Sequence, residues 1–174
     1  MICDPYQFCP HCSHEMTDRL LELEQKERRV CASCGFIYYD NPTPAAGVII
    51  VQDGRVLLVE RKYNPKSGMW TLPAGFVESG EDVATCAVRE TKEETNLDVE
   101  LERIFEVYSA FDDPRAAVIL ILYVAKQVAG ELQCGDDASD ARFFDINQLP
   151  EKIAFRAHQR ALADVRHAVA EGKL

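Results

Sequence analysis

The sequence predicts an α/β fold with a mixed sheet, preceded by a small module organised around cysteines. Three observations carry that reading. Four of the seven cysteines fall into two Cys-x-x-Cys pairs near the N-terminus. Beyond them, apolar runs of strand length alternate with two helical segments. Between the strands, a glycine loop opening at Gly75 runs into a helix that carries three acids on one face. With 174 residues and 47% hydrophobic content, the chain is long enough for one well-buried core and a small appendage.

The N-terminal pairs are Cys9-Pro-His-Cys12 and Cys31-Ala-Ser-Cys34, with 18 residues between them. Seven cysteines in a small secreted chain would suggest disulfides, but this paired spacing suits two knuckles closing a tetrahedral four-thiolate Zn2+ site. Gly35 supplies a permissive backbone after the second pair, and His11 or His14 could substitute for one cysteine. Between the pairs, Arg19 to Val30 is dense in charge and suits two short exposed strands. About 40 residues of this kind do not fold without metal, so the zinc is structural and, with four ligands, leaves no position for substrate.

Net charge is −10, which argues against general nucleic-acid binding, because affinity for phosphate backbones comes from Lys and Arg. The module itself mixes Arg19, Lys26, Arg28 and Arg29 with Glu15, Asp18, Glu22, Glu24 and Glu27. A packing or dimerisation role, and hence a homodimer, is the expectation for it. Tyr38-Tyr39-Asp40-Asn41-Pro42-Thr43-Pro44 is a proline-punctuated linker, placing the module at residues 1–40 and the main domain at 41–174.

Ala45 to Gln52 and Arg55 to Arg61 are apolar runs separated by Asp53-Gly54, the signal of a tight hairpin, and read as the first two strands of a sheet. Lys66-Ser67-Gly68 is a turn. Further strands are predicted at Leu101 to Ser109, Ala117 to Lys126 and Arg142 to Asp145. A last helix is predicted from Ala154 to Glu171, packed through Phe155, Leu162, Val165 and Val169. The longest apolar run, Ala116 to Ala125, is about half of the roughly 20 residues needed to cross a bilayer. With Asp4 and Pro5 where a signal peptide would carry basic and apolar residues, a cytoplasmic protein with no membrane partner is expected.

On the helix after the glycine loop, Glu90, Glu93 and Glu94 project together, while Ala84, Ala87, Val88, Thr91 and Thr95 form a separate stripe of small residues for packing. Clustered carboxylates repel, and their oxygens are the hard ligands that Mg2+ or Mn2+ take, with substrate phosphate in the remaining positions. A solvated acidic face is the plainer alternative at this level.

The surrounding spacing weighs against that alternative. Gly75, five residues, Glu81, seven residues, Arg89-Glu90, two residues, Glu93-Glu94 resembles the signature of the Nudix hydrolases. Thr91 stands where that pattern has an aliphatic residue, and Asn96 where it has Gly. Neither carries chemistry: Asn tolerates the left-handed backbone that ends a helix, and the Thr91 hydroxyl can bond back to a carbonyl one turn earlier.

The resemblance implies an α/β/α Nudix sandwich and a metal-dependent phosphoanhydride hydrolase. It makes Glu90 and Glu94 the leading Mg2+ or Mn2+ ligands and Glu93 a ligand or the base. It has the backbone carbonyl of Ala74 or Gly75 complete the shell, and Arg89 orient a glutamate, with Glu93 or Glu81 as partner. A further acid from a later loop is expected at Asp137, then Asp140, although Asp, Gly and Ser are also simply what turns contain. Trp70 could stack on a base or flavin ring or serve as core. Cys3, Cys86 and Cys134 read as packing or surface residues.

A zinc ribbon followed by a Nudix domain resembles two groups, the NADH pyrophosphatases and a group associated with FAD and ADP-ribose. The first carries a Ser-Gln-Pro-Trp-Pro-Phe-Pro type sequence after the motif, whereas Phe105 to Val118 here has Asp112-Asp113-Pro114 and no tryptophan. Phe8-Cys9, Tyr39-Asp40-Asn41-Pro42 and Trp70-Thr71-Leu72-Pro73-Ala74-Gly75 resemble the second. FAD or ADP-ribose, cut to two monophosphates, is therefore the expected small-molecule nucleotide substrate, ahead of NADH. The rival reading is a nucleotide sensor that does not cut, with the ribbon contacting a partner; the intact glutamates favour the enzyme.

Overall fold

A computed structural model describes residues 6–135 and 137–174. The described residues form two compact units, divided between Asn41 and Pro42. In the first, β1 (Met16–Leu21) and β2 (Lys26–Cys31) form an antiparallel hairpin, and β3 (Ile37–Tyr38) adds to β2. The two short exposed strands expected between the cysteine pairs are present, with a third beside them. The buried cluster of this unit is Cys9, Met16 and Cys31.

The second unit contains β4 (Thr43–Ile49), β5 (Val51–Gln52), β6 (Arg55–Arg61), β7 (Trp70–Thr71), β8 (Ala74–Phe76), α1 (Val83–Thr95), β9 (Asp98–Ala110), β10 (Val118–Ala129), β11 (Ala138–Asp145) and α2 (Arg156–Ala170). One four-stranded sheet has the order β8-β4-β10-β9 and is mixed, because β10 runs parallel to β4 and antiparallel to β9. A second sheet has the order β11-β6-β5, with β7 on β6.

The run Ala45 to Gln52 does not form one strand of a hairpin. It breaks at Ile50, so that β4 joins the mixed sheet and only β5 pairs with β6 across Asp53-Gly54. The reason is burial on both faces. Ala45 and Ile49 pack into the core that contains Ala157, Ala161, Leu162 and Val165 of α2, while Ala46, Val48 and Ile50 pack into the core that contains Cys86 and Ala87 of α1. A strand apolar on both sides shows no alternation to mark where it changes sheets. The same division places strands between α1 and α2, the expected α/β/α layering. Among the described residues, no helix is long and apolar enough to cross a membrane.

The last helix begins two residues later than expected. Phe155 precedes it with a left-handed φ of 53° and gives no side-chain cap. The carboxylate of Asp112, from the β9–β10 loop, instead accepts from the Arg156 N–H at 3.1 and 3.2 Å. Its buried face is Ala157, His158, Ala161, Leu162, Val165 and Ala168, with Val169 only partly buried.

Candidate active site

α1 is the platform of the site. Asp82 caps its N-terminus by accepting from the Ala84 N–H at 2.9 Å. Asn96 ends it in the left-handed conformation, φ 58°, with its N–H donating to the Lys92 carbonyl. The buried face is Cys86, Ala87, Thr91 and Thr95. Cys86 therefore belongs to the packed stripe, and Val88, assigned to it from spacing, is exposed, because Ala46, Val48 and Ile50 beneath α1 pack against its Cys86–Ala87 side. Thr91 donates to the Ala87 carbonyl at 2.7 Å, the back-bond that accommodates a hydroxyl in a fully buried position.

The adjacent face carries Glu90, Glu93 and Glu94, but only Glu90 and Glu94 lie against β8 and the cleft. Glu93 is more than half exposed and is linked to Glu90 through Arg89, and among the described residues the three carboxylates do not converge as the cysteines do. Gly75 has no side chain for a direct reason: a Cβ there would fall on the Glu90 carboxylate. One residue earlier, the Ala74 N–H donates to Glu94 Oε2 at 3.0 Å. The Gly75 carbonyl lies 3.8 Å from the Cys86 thiol. Strand β8 thus presents its backbone to two of the three acids.

Arg89 ties the acids to one another. Its Nε and Nη2 donate to the two oxygens of Glu81 at 2.7 and 3.0 Å, and its Nη1 to Glu90 at 2.7 Å and Glu93 at 3.1 Å. Nη2 also reaches the Phe76 carbonyl at 3.2 Å. Sequence spacing offered Glu81 or Glu93 as the partner of Arg89; the guanidinium contacts both and Glu90 as well. The hydrogen bonds from Arg89 hold the Glu81 carboxyl down to about 2. Burial pushes Glu90 up, and burial with the nearby Glu90 charge pushes Glu94 up to about 8. Two acids held this close and this deep are poorly compensated by the chain itself. That is the condition a divalent cation relieves, and three carboxylates on one helix face are the hard oxygen donors it takes.

Glu90, Glu94, Ala74 and Gly75 line a cleft of about 380 Å³. Asp137 lines it too, exposed at the start of β11. It is brought there because the preceding loop docks on the end of α1: Gln133 and Gly135 donate to the Thr95 and Glu94 carbonyls at 3.0 and 3.1 Å. A Cβ on Gly135 would strike the Glu93 carbonyl. Asp140 pairs with Arg142 instead and does not line the cleft. Trp70 is 8% exposed, packs edge-on against Phe144 with ring centres 4.7 Å apart, and is likewise not among the lining residues. Its placement is that of a core residue.

The rest of the lining includes residues that the sequence did not single out. Arg61 comes from the end of β6 and donates to the Pro65 carbonyl at 2.9 Å. Arg115, from the β9–β10 loop, grips buried Asp113 and lies 5.2 Å from the centre of the Phe76 ring. Tyr63 and His158 line the cleft as well, as does Phe155, expected from the sequence as a packing residue of the last helix.

In the N-terminal unit, the sulfurs of Cys9, Cys12, Cys31 and Cys34 all lie within 4.8 Å of one another, with Cys9 to Cys34 and Cys12 to Cys31 at 3.5 Å. A tetrahedron of sulfurs each about 2.3 Å from zinc has edges of about 3.8 Å, so the cluster has the dimensions of that site. His11 packs on Phe36 and His14 contacts the Cys12 carbonyl, and neither joins the cluster. Cys134 is exposed, and Cys3 lies outside the described residues.

Residues 41–165 match the NUDIX domain family, and residues 7–40 match the zinc-ribbon family described as Nudix N-terminal. The chain belongs to the Nudix family. It is 46% identical over 127 residues to an ADP-ribose pyrophosphatase from Methanocaldococcus jannaschii, covering 72% of this chain and 74% of that protein. It is 33% identical over 146 residues to the NAD-capped RNA hydrolase NudC from Chromobacterium violaceum, covering 83% of this chain but only 52% of that longer protein. The crystal structure of a NUDIX hydrolase from Nitrosomonas europaea superposes with a TM-score of 0.85 at 33% identity, covering 96% of this chain and 94% of that one. As a Nudix hydrolase with a zinc-ribbon segment, the chain is an enzyme of the pyrophosphatase kind.

Proposed function

We propose that this Nudix hydrolase is a Mg2+- or Mn2+-dependent pyrophosphatase that opens the phosphoanhydride of a nucleoside-diphosphate-linked compound, ADP-ribose first and FAD second, to two monophosphates. The observation that carries the proposal is that Glu90 and Glu94 of α1 line one cleft together with Arg61 and Arg115. Similarity to an ADP-ribose pyrophosphatase over most of both chains supports the choice of substrate. When bound, the divalent ions supply neutralisation of phosphate charge and an activated water.

Glu90 and Glu94 would hold those ions, with backbone of Ala74 or Gly75 beside them. The Ala74 N–H fixes which way the Glu94 carboxylate faces. Glu93 is more exposed than Glu90 or Glu94 and is steadied by Arg89, the position of a further ligand or of the base that takes a proton from water. Arg89 acts through the glutamates, holding their rotamers. Arg61 and Arg115 face the substrate's phosphates, and Asp137 adds an acid at the rim. The four-cysteine cluster holds one structural Zn2+. A cytoplasmic location and a homodimer, with the ribbon packing or pairing copies, complete the reading.

A second reading is NAD-capped RNA, favoured by the NudC relatives, of which this chain spans little more than half. Incubation of the protein and Mg2+ with ADP-ribose, FAD, NADH, nucleoside triphosphates and NAD-capped RNA, with products identified by mass, tests both. AMP from ADP-ribose at the highest kcat/KM is the expected result. Preferential cutting of NAD-capped RNA selects the second reading, and no Mg2+-dependent turnover of any compound defeats both.

A further inference from the structure

We propose that His158 is a substrate-positioning residue whose Nε2–H donates a hydrogen bond to an acceptor atom on the uncharged part of the nucleotide substrate. The inference rests on the reading of the cleft as a nucleotide site. His158 lies in the first turn of α2, is 8% exposed, and lines the cleft. Its Nδ1 lies 3.2 Å from the Leu72 backbone nitrogen. A backbone N–H only donates, so Nδ1 accepts, the ring is neutral, and its proton sits on Nε2.

The surroundings enforce that state. Burial, then the charge of Arg61, push the ring down to about 4, with Lys66 adding to this and Asp112 opposing it. Among the described residues, no group accepts from Nε2. Nε2 is not sealed in the interior, so the donor opens on the cleft that the residue lines, where it is satisfied by what enters. Arg61 and Arg115 are already present for anionic oxygens. A neutral donor whose ring lies 6.2 Å from that of Phe155, which also lines the cleft, suits instead a ring nitrogen, a carbonyl or a hydroxyl.

Two substitutions separate this role from a structural one. In His158→Asn, the amide oxygen can replace Nδ1 and keep the Leu72 bond while the Nε2 donor is lost. In His158→Gln, the amide nitrogen can replace Nε2 while the Leu72 bond is lost. With ADP-ribose, KM should rise about three- to tenfold in His158→Asn, with kcat within about twofold and Tm near that of the wild type. His158→Gln should show the reverse pattern, a lowered Tm and a KM within about twofold. An unchanged KM in His158→Asn overturns the proposal. Wild-type turnover tests the substrate reading separately. If ADP-ribose is not cut, nitrogen chemical shifts of the His158 ring in the wild-type protein, one of four histidines, still decide. They should report the Nε2–H tautomer and move on addition of AMP, and ring shifts unchanged at millimolar AMP overturn the inference.

Discussion

Gly75→Ala should destabilise the protein through one identifiable clash, and the clash should vanish when Glu90 is shortened. The backbone at Gly75 is not in the left-handed region, so alanine costs nothing in dihedral terms and the conflict is steric. The new methyl would occupy the position of the Glu90 carboxylate. Helix α1 cannot withdraw, because Ala87 and Thr91 behind it are fully buried. The Glu90 side chain must give, abandoning its 2.7 Å ion pair with Arg89. Because only the end of one flexible side chain has to move, the cost is that of the displaced ion pair, about 1 kcal/mol, or about 3 °C in Tm for a chain of this size. Urea unfolding in Mg2+-free buffer, followed by the fluorescence of the single tryptophan, Trp70, reads the unit that contains the site. In a double-mutant cycle with Glu90→Ala, the Gly75→Ala cost should fall close to zero, giving a coupling of about 1 kcal/mol. An equal cost in both backgrounds would refute the reasoning, since the methyl would then be striking something other than Glu90.

Two further outcomes follow from the charges and the metal sites. The Glu94 carboxyl is pushed up to about 8 from an ordinary value of 4.5, chiefly by burial, so the folded state holds a proton that the unfolded state releases. Its contribution to stability is full below the ordinary value and is lost as pH rises towards 8, with a slope approaching about 1.4 kcal/mol per pH unit. Urea titrations of the Mg2+-free protein between these limits should show that loss in the wild type and not in Glu94→Gln; equal slopes would count against the burial of this acid. For the ribbon, metal analysis should find about one zinc per chain, lost in Cys31→Ser together with protease resistance of the N-terminal unit, whose buried cluster among the described residues is Cys9, Met16 and Cys31. Retention of that resistance without zinc would refute a structural role for the metal.

What the sequence made legible is local. The helix α1, its acids, its left-handed Asn96 and the back-bonded Thr91 all follow from spacings of three, four and one residues, and the cysteine pairs follow from spacing in the same way. Errors begin where a property depends on what lies across a layer. Ala45 to Gln52 is apolar on both faces, so the chain could change sheets at Ile50 without any signal in its pattern. Cys86 took the buried place assigned to Val88 because the sheet beneath α1, not the helix period alone, decides which side chains are covered. Trp70 could be read as platform or as core, and only the arrival of Phe144 from β11 decides for core.

The surroundings of Phe155, which lines the cleft, depend most on contacts between distant parts of the chain. Phe155 holds a left-handed backbone with Lys66 Nζ 4.4 Å from the centre of its ring, and Lys66 in turn pairs at 2.7 Å with Asp112, the residue that caps α2. None of these residues sits in a motif, and each has an ordinary role in its own segment: a loop lysine, a turn aspartate, an apolar residue before a helix. Their shared position comes from bringing together the β6–β7 loop, the β9–β10 loop and the start of α2. His158 is the clearest instance. Viewed along α2, it is one polar residue on an amphipathic helix, and its identity as a neutral donor is set by the N–H of Leu72, 86 positions earlier in the chain. The protonation state of such a group belongs to the contact between segments, so no reading confined to either segment contains it.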